Sequence, residues 1–375
     1  MTHIALDARM LGPTLHGLGR YVYSLSDTMA ALAPDLGLTL LGASPHARDL
    51  AARHPNVRVQ PVPARPFSPG EQADIPRTLM SLRPDLYHAT SAALPFVRPV
   101  PYCVTVPDLI PLLYPGAGGR GHRLYFMHWL PHALARARHV LTFSQATKQD
   151  VLTWLHLPAE RVTVAPLGVD PMFRPEPLPD EDARRRRLAL PEPYLLVAGN
   201  PRPHKNLGMG LQVFDAIAER FPDLSLVVLS TSSRALDQAI ESARHRGRIA
   251  RLAGLSDEDL GVVYRAARAL FYPSRYEGFG LPVLEAMACG TPVVSSNATS
   301  LPEVVGDAGI LVDASRPEEA AAAVLRLCAD ADLRGKFRDA GLKQAAEFTW
   351  ERCARITLEV YSNTGGFPKN ADTSK

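Results

Sequence analysis

Two glutamates, Glu277 and Glu285, stand with seven residues between them in YEGFGLPVLEAMACGTPVV, residues 276–294. The stretch between them is a Gly-Phe-Gly-Leu-Pro turn. Pro282 suits the first turn of a helix and Gly290 its end. Glu285 then falls in the first turn of that helix, and Glu277 lies in the loop before it. A helix start exposes unpaired N–H groups and a partial positive charge, so it attracts anions. Carboxylates placed there either compensate the dipole as surface acids, or hold hydroxyl groups while the N–H groups hold a phosphate.

Two more stretches supply what a phosphate ligand requires. HGLGRY (16–21) follows a strand and opens a helix, and its glycines let backbone approach a phosphate. VAGNPRPHKNL (197–207) ends another strand; Lys205 can neutralise a diphosphate leaving group, and Asn206 can cap the helix that follows. Alone, each is an ordinary turn or a surface lysine beside a cap. With the glutamate pair they favour a phosphate and sugar site. Other candidates fade. SDEDL (256–260) has a metal-site look, but Ser256 followed by acids is better read as an N-cap with an acidic first turn. Ser144 in FSQATKQDV is likewise a cap. The twelve histidines show no HExxH spacing and no GxSxG elbow occurs, so no metal ligands and no hydrolase nucleophile are expected.

These motifs need a scaffold, and the hydrophobic pattern describes one. THIALDA, LTLLGA, VRVQPV, DLYHA, YCVTV, HVLTF and RVTVAP read as strands, with helical stretches such as GRYVYSLSDTMAALA and EQADIPRTLMSL between them. The alternation pauses in a proline-rich, charged stretch at 169–192 and resumes with YLLVAG, LSLVVLS, RIARLAG, ALFYPS, TPVVSS and GILVD. Strands alternating with helices predict parallel sheets covered by helices. Two Rossmann-like halves joined by a linker follow, with ligands at the carboxyl ends of the strands. The Arg184–Arg187 run reads as a solvated helix face, with attraction to a membrane surface as the sharper alternative.

At 375 residues and 46% hydrophobic, the chain can build two cores. A net charge of +3 argues against a nucleic-acid partner. The opening MTHIALDARML lacks the layout of a signal peptide, and no apolar run is long enough to span a bilayer, which predicts a cytoplasmic protein. Cys103, Cys289, Cys328 and Cys353 are scattered and are expected to be reduced and buried.

From about residue 4 to residue 361 the chain resembles the retaining glycosyltransferases of family 4, and within them a mannosyltransferase-like subgroup. The resemblance is carried by GLGRY, VTVPDLIPLLYP, HVLTFSQATKQDVL, VTVAPLGVDPMFRP, GNPRPHKNL and FTWERCARITLEVY. Its most specific element is the E-x7-E pair set between FYPS and GTPVV. It implies an α/β protein of GT-B fold: two facing Rossmann-like domains with parallel sheets and an interdomain cleft. The acceptor-side domain would be 1–168, the linker 169–192 and the nucleotide-sugar domain 193–348. A helix at 349–362 would pack back on the first domain, and 363–375 would be a disordered tail.

For individual residues the resemblance implies that Glu277 holds hydroxyls of the donor sugar and Glu285 those of the ribose. Gly278, Phe279, Gly280 and Leu281 would contact the phosphates and sugar, Lys205 the diphosphate, and Asn200 the donor beside it. Gly19 would bring backbone to the phosphate in the closed state, and Asp108 belongs to a catalytic His-Asp pair. No metal and no cofactor are implied. The donor is a nucleoside diphosphate sugar, GDP-mannose by analogy, and the acceptor is a glycan or lipid-linked glycan read by loops 64–75 and 114–122. The setting is surface polysaccharide synthesis, in peripheral contact with the inner face of a membrane. Three departures stand out: Asn200 replaces an arginine, His204 replaces the arginine of Arg-Lys-Asn, and Pro107 replaces the histidine that touches the sugar's 6-hydroxyl. The second makes one cation pH-dependent. The third opens the pocket to 6-deoxy sugars. A sugar-nucleotide epimerase and a non-catalytic nucleotide-sugar-binding subunit remain as alternatives.

Overall fold

The computed structural model describes residues 2–12, 15, 17–114 and 119–366. The chain forms two units, Met1–Gly168 with Thr349–Lys375, and Val169–Phe348.

The first unit is a seven-stranded parallel sheet of β1 (His3–Asp7), β2 (Gly37–Leu41), β3 (Val57–Gln60), β4 (Leu86–Ala89), β5 (Tyr102–Thr105), β6 (His139–Thr142) and β7 (Val162–Val164). Its order is β3-β2-β1-β4-β5-β6-β7. β4 and β5 are buried throughout, because helices cover both faces and leave no polar side to alternate with. The helices are α1 (Leu18–Leu32), α2 (Pro45–Arg53), α3 (Glu71–Leu82), α4 (Ile110–Leu113), α5 (Arg120–Leu124), α6 (Leu130–Arg136) and α7 (Gln145–Leu155). A π-turn at Tyr125–Trp129 joins α5 to α6. Ser144 caps α7 by accepting from the Thr147 N–H at 3.0 Å.

The second unit is a six-stranded parallel sheet of β8 (Tyr194–Ala198), β9 (Ser225–Leu229), β10 (Ile249–Leu252), β11 (Ala269–Tyr272), β12 (Val293–Ser296) and β13 (Ile310–Val312). Its order is β10-β9-β8-β11-β12-β13. Its helices are α8 (Glu181–Arg187), α9 (Leu207–Ile217), α10 (Arg234–Ser242), α11 (Asp257–Ala266), α12 (Leu281–Ala288), α13 (Leu301–Val305), α14 (Pro317–Ala329) and α15 (Ala331–Ala346). In both sheets the strand order reverses once, at β1/β4 and at β8/β11. At such a point the connections leave in opposite directions and open a crevice at the carboxyl ends.

The stretch expected as a linker differs from that reading. Residues 169–192 belong to the second unit. Arg184 of α8 pairs with Asp180 at 2.9 Å and Asp259 at 3.0 Å, Arg187 pairs with Asp259, and Arg185 with Glu181 at 3.1 Å. Nearby acids thus neutralise three of the four arginines, and the run is not a free cationic face. The C-terminal helix, Trp350–Tyr361, belongs to the first unit and packs on α1. Helical structure continues through 362–366, where the tail was expected to begin as disorder; 367–375 lie outside the described residues, as do 115–118 of the loop expected at 114–122. All four cysteines are free and buried. Among the described residues no helix is long and apolar enough to cross a membrane.

Candidate functional site

The reversal point of the second sheet brings together residues far apart in sequence. β8 ends at Ala198 and the chain turns at Gly199, whose φ of +150° few side chains adopt. A 3₁₀ turn at Pro203–Lys205 carries Lys205 back, and its stem lies against Gly199 at a distance where a Cβ would meet it at 3.4 Å. The neighbouring β11 ends at Tyr272 and leads to Glu277. Lys205 Nζ donates to both Glu277 carboxylate oxygens, at 2.6 and 2.8 Å, and to the Tyr272 hydroxyl at 3.2 Å. The Tyr272 O–H in turn donates to Glu277 Oε1 at 2.7 Å. The Lys205 and Glu277 side chains are 14% and 9% exposed, so this is a largely desolvated ion pair bridged by a phenol. Burial and the adjacent Glu277 push the Tyr272 phenol well above its usual range, and it stays a donor.

Residues after β12 hold the glutamate's backbone. Thr299 Oγ1 accepts from the Glu277 N–H at 2.9 Å and lies 3.0 Å from the Glu277 carbonyl. Ser300 Oγ lies 3.0 Å from that carbonyl and 2.8 Å from the Phe279 carbonyl. Thr299 has φ +49°, an uncommon conformation for a β-branched residue. Its hydroxyl contacts hold it there, and such strain clusters at functional sites. Sequence reasoning gave Thr299 and Ser300 no role. The signal that could have found them is the small-polar cluster NATS at a strand's end. Gly280 (φ +118°) starts α12 against Leu301, where a Cβ would come within 2.8 Å.

Two expectations need correction. Glu285 is the fifth residue of α12, beyond its first turn; its side chain is buried and accepts the Tyr264 O–H at 3.0 Å. Asn206 does not cap α9 with its side chain. In the left-handed region (φ +54°) its carboxamide Nδ2 donates to the Pro273 and Ala314 carbonyls, each at 3.2 Å, and lies 3.3 Å from the Met209 sulfur of α9, so its oxygen makes no capping bond to the helix N–H groups. His204 is buried, and its carbonyl accepts from the Arg275 N–H at 2.7 Å. Burial, reinforced by Lys205, lowers the His204 pKa from 6.5, so it is neutral at pH 7 and adds no cation there.

Asn200, Lys205, Glu277, Gly278, Phe279, Gly280, Leu281 and Glu285 all belong to the second unit, on the segments that follow β8 and β11. Asn200 is exposed, and Phe279 is buried edge-on to Phe348. Gly19 and Asp108 belong to the first unit, after β1 and β5. Gly19 is buried in the first turn of α1 against the Met10 carbonyl, 3.1 Å from where its Cβ would be. Asp108 Oδ1 accepts from the Ile110 N–H at 2.9 Å and so supports the start of α4. Among the described residues no three His, Cys, Asp or Glu side chains group as metal ligands. The second unit thus offers an ammonium and a helix start to an anion, and a fixed carboxylate to hydroxyl groups.

Residues 15–173 match Glycosyltransferase Family 4, and residues 180–344 match Glycosyl transferases group 1. The chain is similar to O-antigen chain mannosyltransferase B of Escherichia coli, 36% identical over 63% of this chain and 64% of that one. It is also similar to the MMP alpha-(1->4)-mannosyltransferase of Mycolicibacterium hassiacum, 34% identical over 59% of this chain and 53% of that one. The matches therefore span less than two thirds of these relatives. Among solved structures it is similar to Anabaena HepE in complex with UDP-glucose, with a TM-score of 0.75 and 19% identity over 97% of this chain and 100% of that one.

Proposed function

The chain belongs to the family 4 glycosyltransferases, and from that premise we propose that it moves a sugar, with retention, from a nucleoside diphosphate sugar to a glycan or lipid-linked acceptor. The observation that carries this is the Lys205–Tyr272–Glu277 cluster beside the start of α12, at the point where the second sheet reverses. Lys205 and the helix N–H groups suit a diphosphate, and Glu277 suits sugar hydroxyls. Glu285 serves the ribose, and backbone at Gly278–Leu281 and Asn200 completes the donor contacts. The names of the two curated relatives support mannose as the sugar, and that of the first a role in surface polysaccharide synthesis; GDP-mannose as donor, or a related 6-deoxyhexose in place of mannose, follows from the family resemblance and from Pro107.

In the proposed reaction the acceptor hydroxyl attacks the anomeric carbon on the face the diphosphate leaves. The C–O bond to phosphate breaks with its electron pair on the diphosphate, and a phosphate oxygen takes the acceptor's proton. Stabilising the leaving charge through Lys205 and the start of α12 is the protein's largest contribution. Glu277 leaves the lysine when the diphosphate arrives and turns to the sugar. Gly19 and Asp108 are assigned to this reaction by resemblance.

The test is incubation with labelled nucleoside diphosphate sugars, with and without acceptor glycans, followed by the product's anomeric configuration. Acceptor-dependent transfer with retention is expected. Conversion of the donor without acceptor would favour an epimerase, and binding without turnover a non-catalytic subunit. Because Lys205 and the helix start carry the charge balance, transfer should persist in EDTA. Loss restored by magnesium or manganese would overturn that part.

A further inference from the structure

Of the three side chains in the cluster after β8 and β11, the proposed transfer uses Lys205 and Glu277 and gives Tyr272 no part. Tyr272 is the last residue of β11, a strand buried along its whole length, and is itself 1% exposed. Phenylalanine, valine or leucine would fill such a place without burying a hydroxyl, which is costly unless the hydroxyl is bonded. Here it is bonded, and among the described residues only to the two charged groups of the site. It accepts from Lys205 Nζ at 3.2 Å and donates to Glu277 Oε1 at 2.7 Å. Glu285 is held alike: its Oε2 accepts at 3.0 Å from Tyr264, a second fully buried tyrosine.

The two carboxylate oxygens of Glu277 are not equivalent. Among the described residues Oε2 has a single donor, Lys205 Nζ at 2.8 Å. Oε1 has two, Lys205 Nζ at 2.6 Å and the Tyr272 O–H. A diphosphate that draws the ammonium away removes one donor from each oxygen. Oε2 is then bare, while Oε1 keeps a charge-assisted bond to the phenol. Burial and the neighbouring carboxylate keep that phenol protonated, so it remains a donor throughout. Thr299 and Ser300 meanwhile fix the Glu277 main chain. With backbone and Oε1 both held, the carboxylate cannot swing freely, and Oε2 is the acceptor left for a ligand hydroxyl.

We propose that Tyr272 is a positioning residue for the transfer, anchoring Glu277 through Oε1 when the diphosphate takes Lys205, so that Oε2 receives the sugar hydroxyls. This rests on the assignment of Lys205 to the diphosphate and Glu277 to the sugar, and the test tells the two apart. Calorimetry on the full chain, without acceptor, compares GDP with GDP-mannose, or UDP with UDP-glucose, whichever pair wild type binds. Tyr272→Phe keeps the ring and removes the hydroxyl. It should weaken the sugar nucleotide about ten-fold, as for a lost hydrogen bond to a charged group, while the nucleoside diphosphate alone keeps most of its affinity. Because the phenol acts through the carboxylate, the Tyr272→Phe/Glu277→Gln double variant should bind the sugar nucleotide no more weakly than Glu277→Gln. A phenol that merely packed the core would add its own loss, so additive losses would overturn the proposal. So would sugar-nucleotide binding by Tyr272→Phe equal to wild type, or equal weakening of both ligands. If Glu277→Gln itself leaves the sugar's contribution unchanged, or wild type binds neither pair, the underlying assignment fails and the anchor with it. Melting temperatures of the variants confirm that they are folded.

Discussion

At the scale of single residues, the ion pair between Lys205 and Glu277 bears directly on the proposed roles. If the lysine serves the diphosphate, Glu277 competes with the ligand for it. Glu277→Gln should therefore cut turnover severely while leaving affinity for the free nucleoside diphosphate unchanged or higher. Glu285→Gln should instead weaken that affinity by about 10- to 150-fold, the worth of one hydrogen bond to a charged group at roughly 1.5–3 kcal/mol. Calorimetry with the nucleotide reads both, and equal losses would reverse the assignment. Pro107 raises a second question of specificity. Its side chain offers neither donor nor acceptor, so the contact to the sugar's 6-hydroxyl that the resemblance assigns to a histidine here, worth about 0.5–1.5 kcal/mol, would be lost. A 6-deoxy donor should compete well with its 6-hydroxy counterpart, and Pro107→His should shift preference toward the hydroxylated one. A competition assay with GDP-rhamnose and GDP-mannose checks this; a strong wild-type preference for mannose, unchanged in the variant, contradicts it.

At the scale of elements, the E-x7-E segment is a loop and helix start whose shape is imposed from outside. Thr299 and Ser300 fasten its backbone, and Gly280 turns it through a conformation that a Cβ would oppose both by dihedral and by contact with the buried Leu301. Gly280→Ala should destabilise the second unit by about 1–3 kcal/mol and weaken nucleotide binding, because the Glu277 loop and the first N–H groups of α12 move together. Thermal unfolding and nucleotide titration measure the two effects, and a variant with unchanged values for both would refute the coupling. Elements differ in how plainly they announce themselves. The thirteen strands among the described residues fall on short β-branched or leucine-rich runs, and central strands such as β5 and β8 are buried and apolar throughout because both faces are covered. α2 and α15 were not foreseen. α2 buries only Ala47 and Leu50, and α15 only Gly341 and Ala345, so neither shows a wide apolar stripe.

At the scale of the whole molecule, the chain leaves the first unit at Gly168 and returns to it at Thr349. The returning helix is bolted to the sheet by a buried polar chain. The Tyr361 hydroxyl lies 2.5 Å from His88 Nδ1, and the Thr105 hydroxyl is 2.8 Å from both His88 Nε2 and the Tyr21 hydroxyl. Burial lowers the His88 pKa to about 3, against 6.5 unperturbed. Above pH 6.5 the residue is neutral folded or unfolded and its contribution is constant. Below that, the unfolded chain binds a proton that the folded one refuses, so stability falls by about 1.4 kcal/mol per pH unit toward pH 3. Chemical denaturation of the first unit between pH 7.5 and 5 should show this fall, and His88→Gln should flatten it by about one proton; an identical slope in the variant would rule His88 out. The sequence by itself determined that there are two parallel α/β units, where their strands lie, and which glutamates and lysine to watch. Those signals are local: hydrophobic period, turn residues and motif spacing. Only the tertiary structure decided that Lys205, Tyr272 and Glu277 form one cluster, that Thr299 and Ser300 hold it, and that Glu285 is buried on Tyr264. It also decided that acids pair with three of the four arginines at 184–187. Each of these depends on which strands become neighbours and which side chains then find partners, and strand order follows from packing many segments at once, which no short stretch encodes.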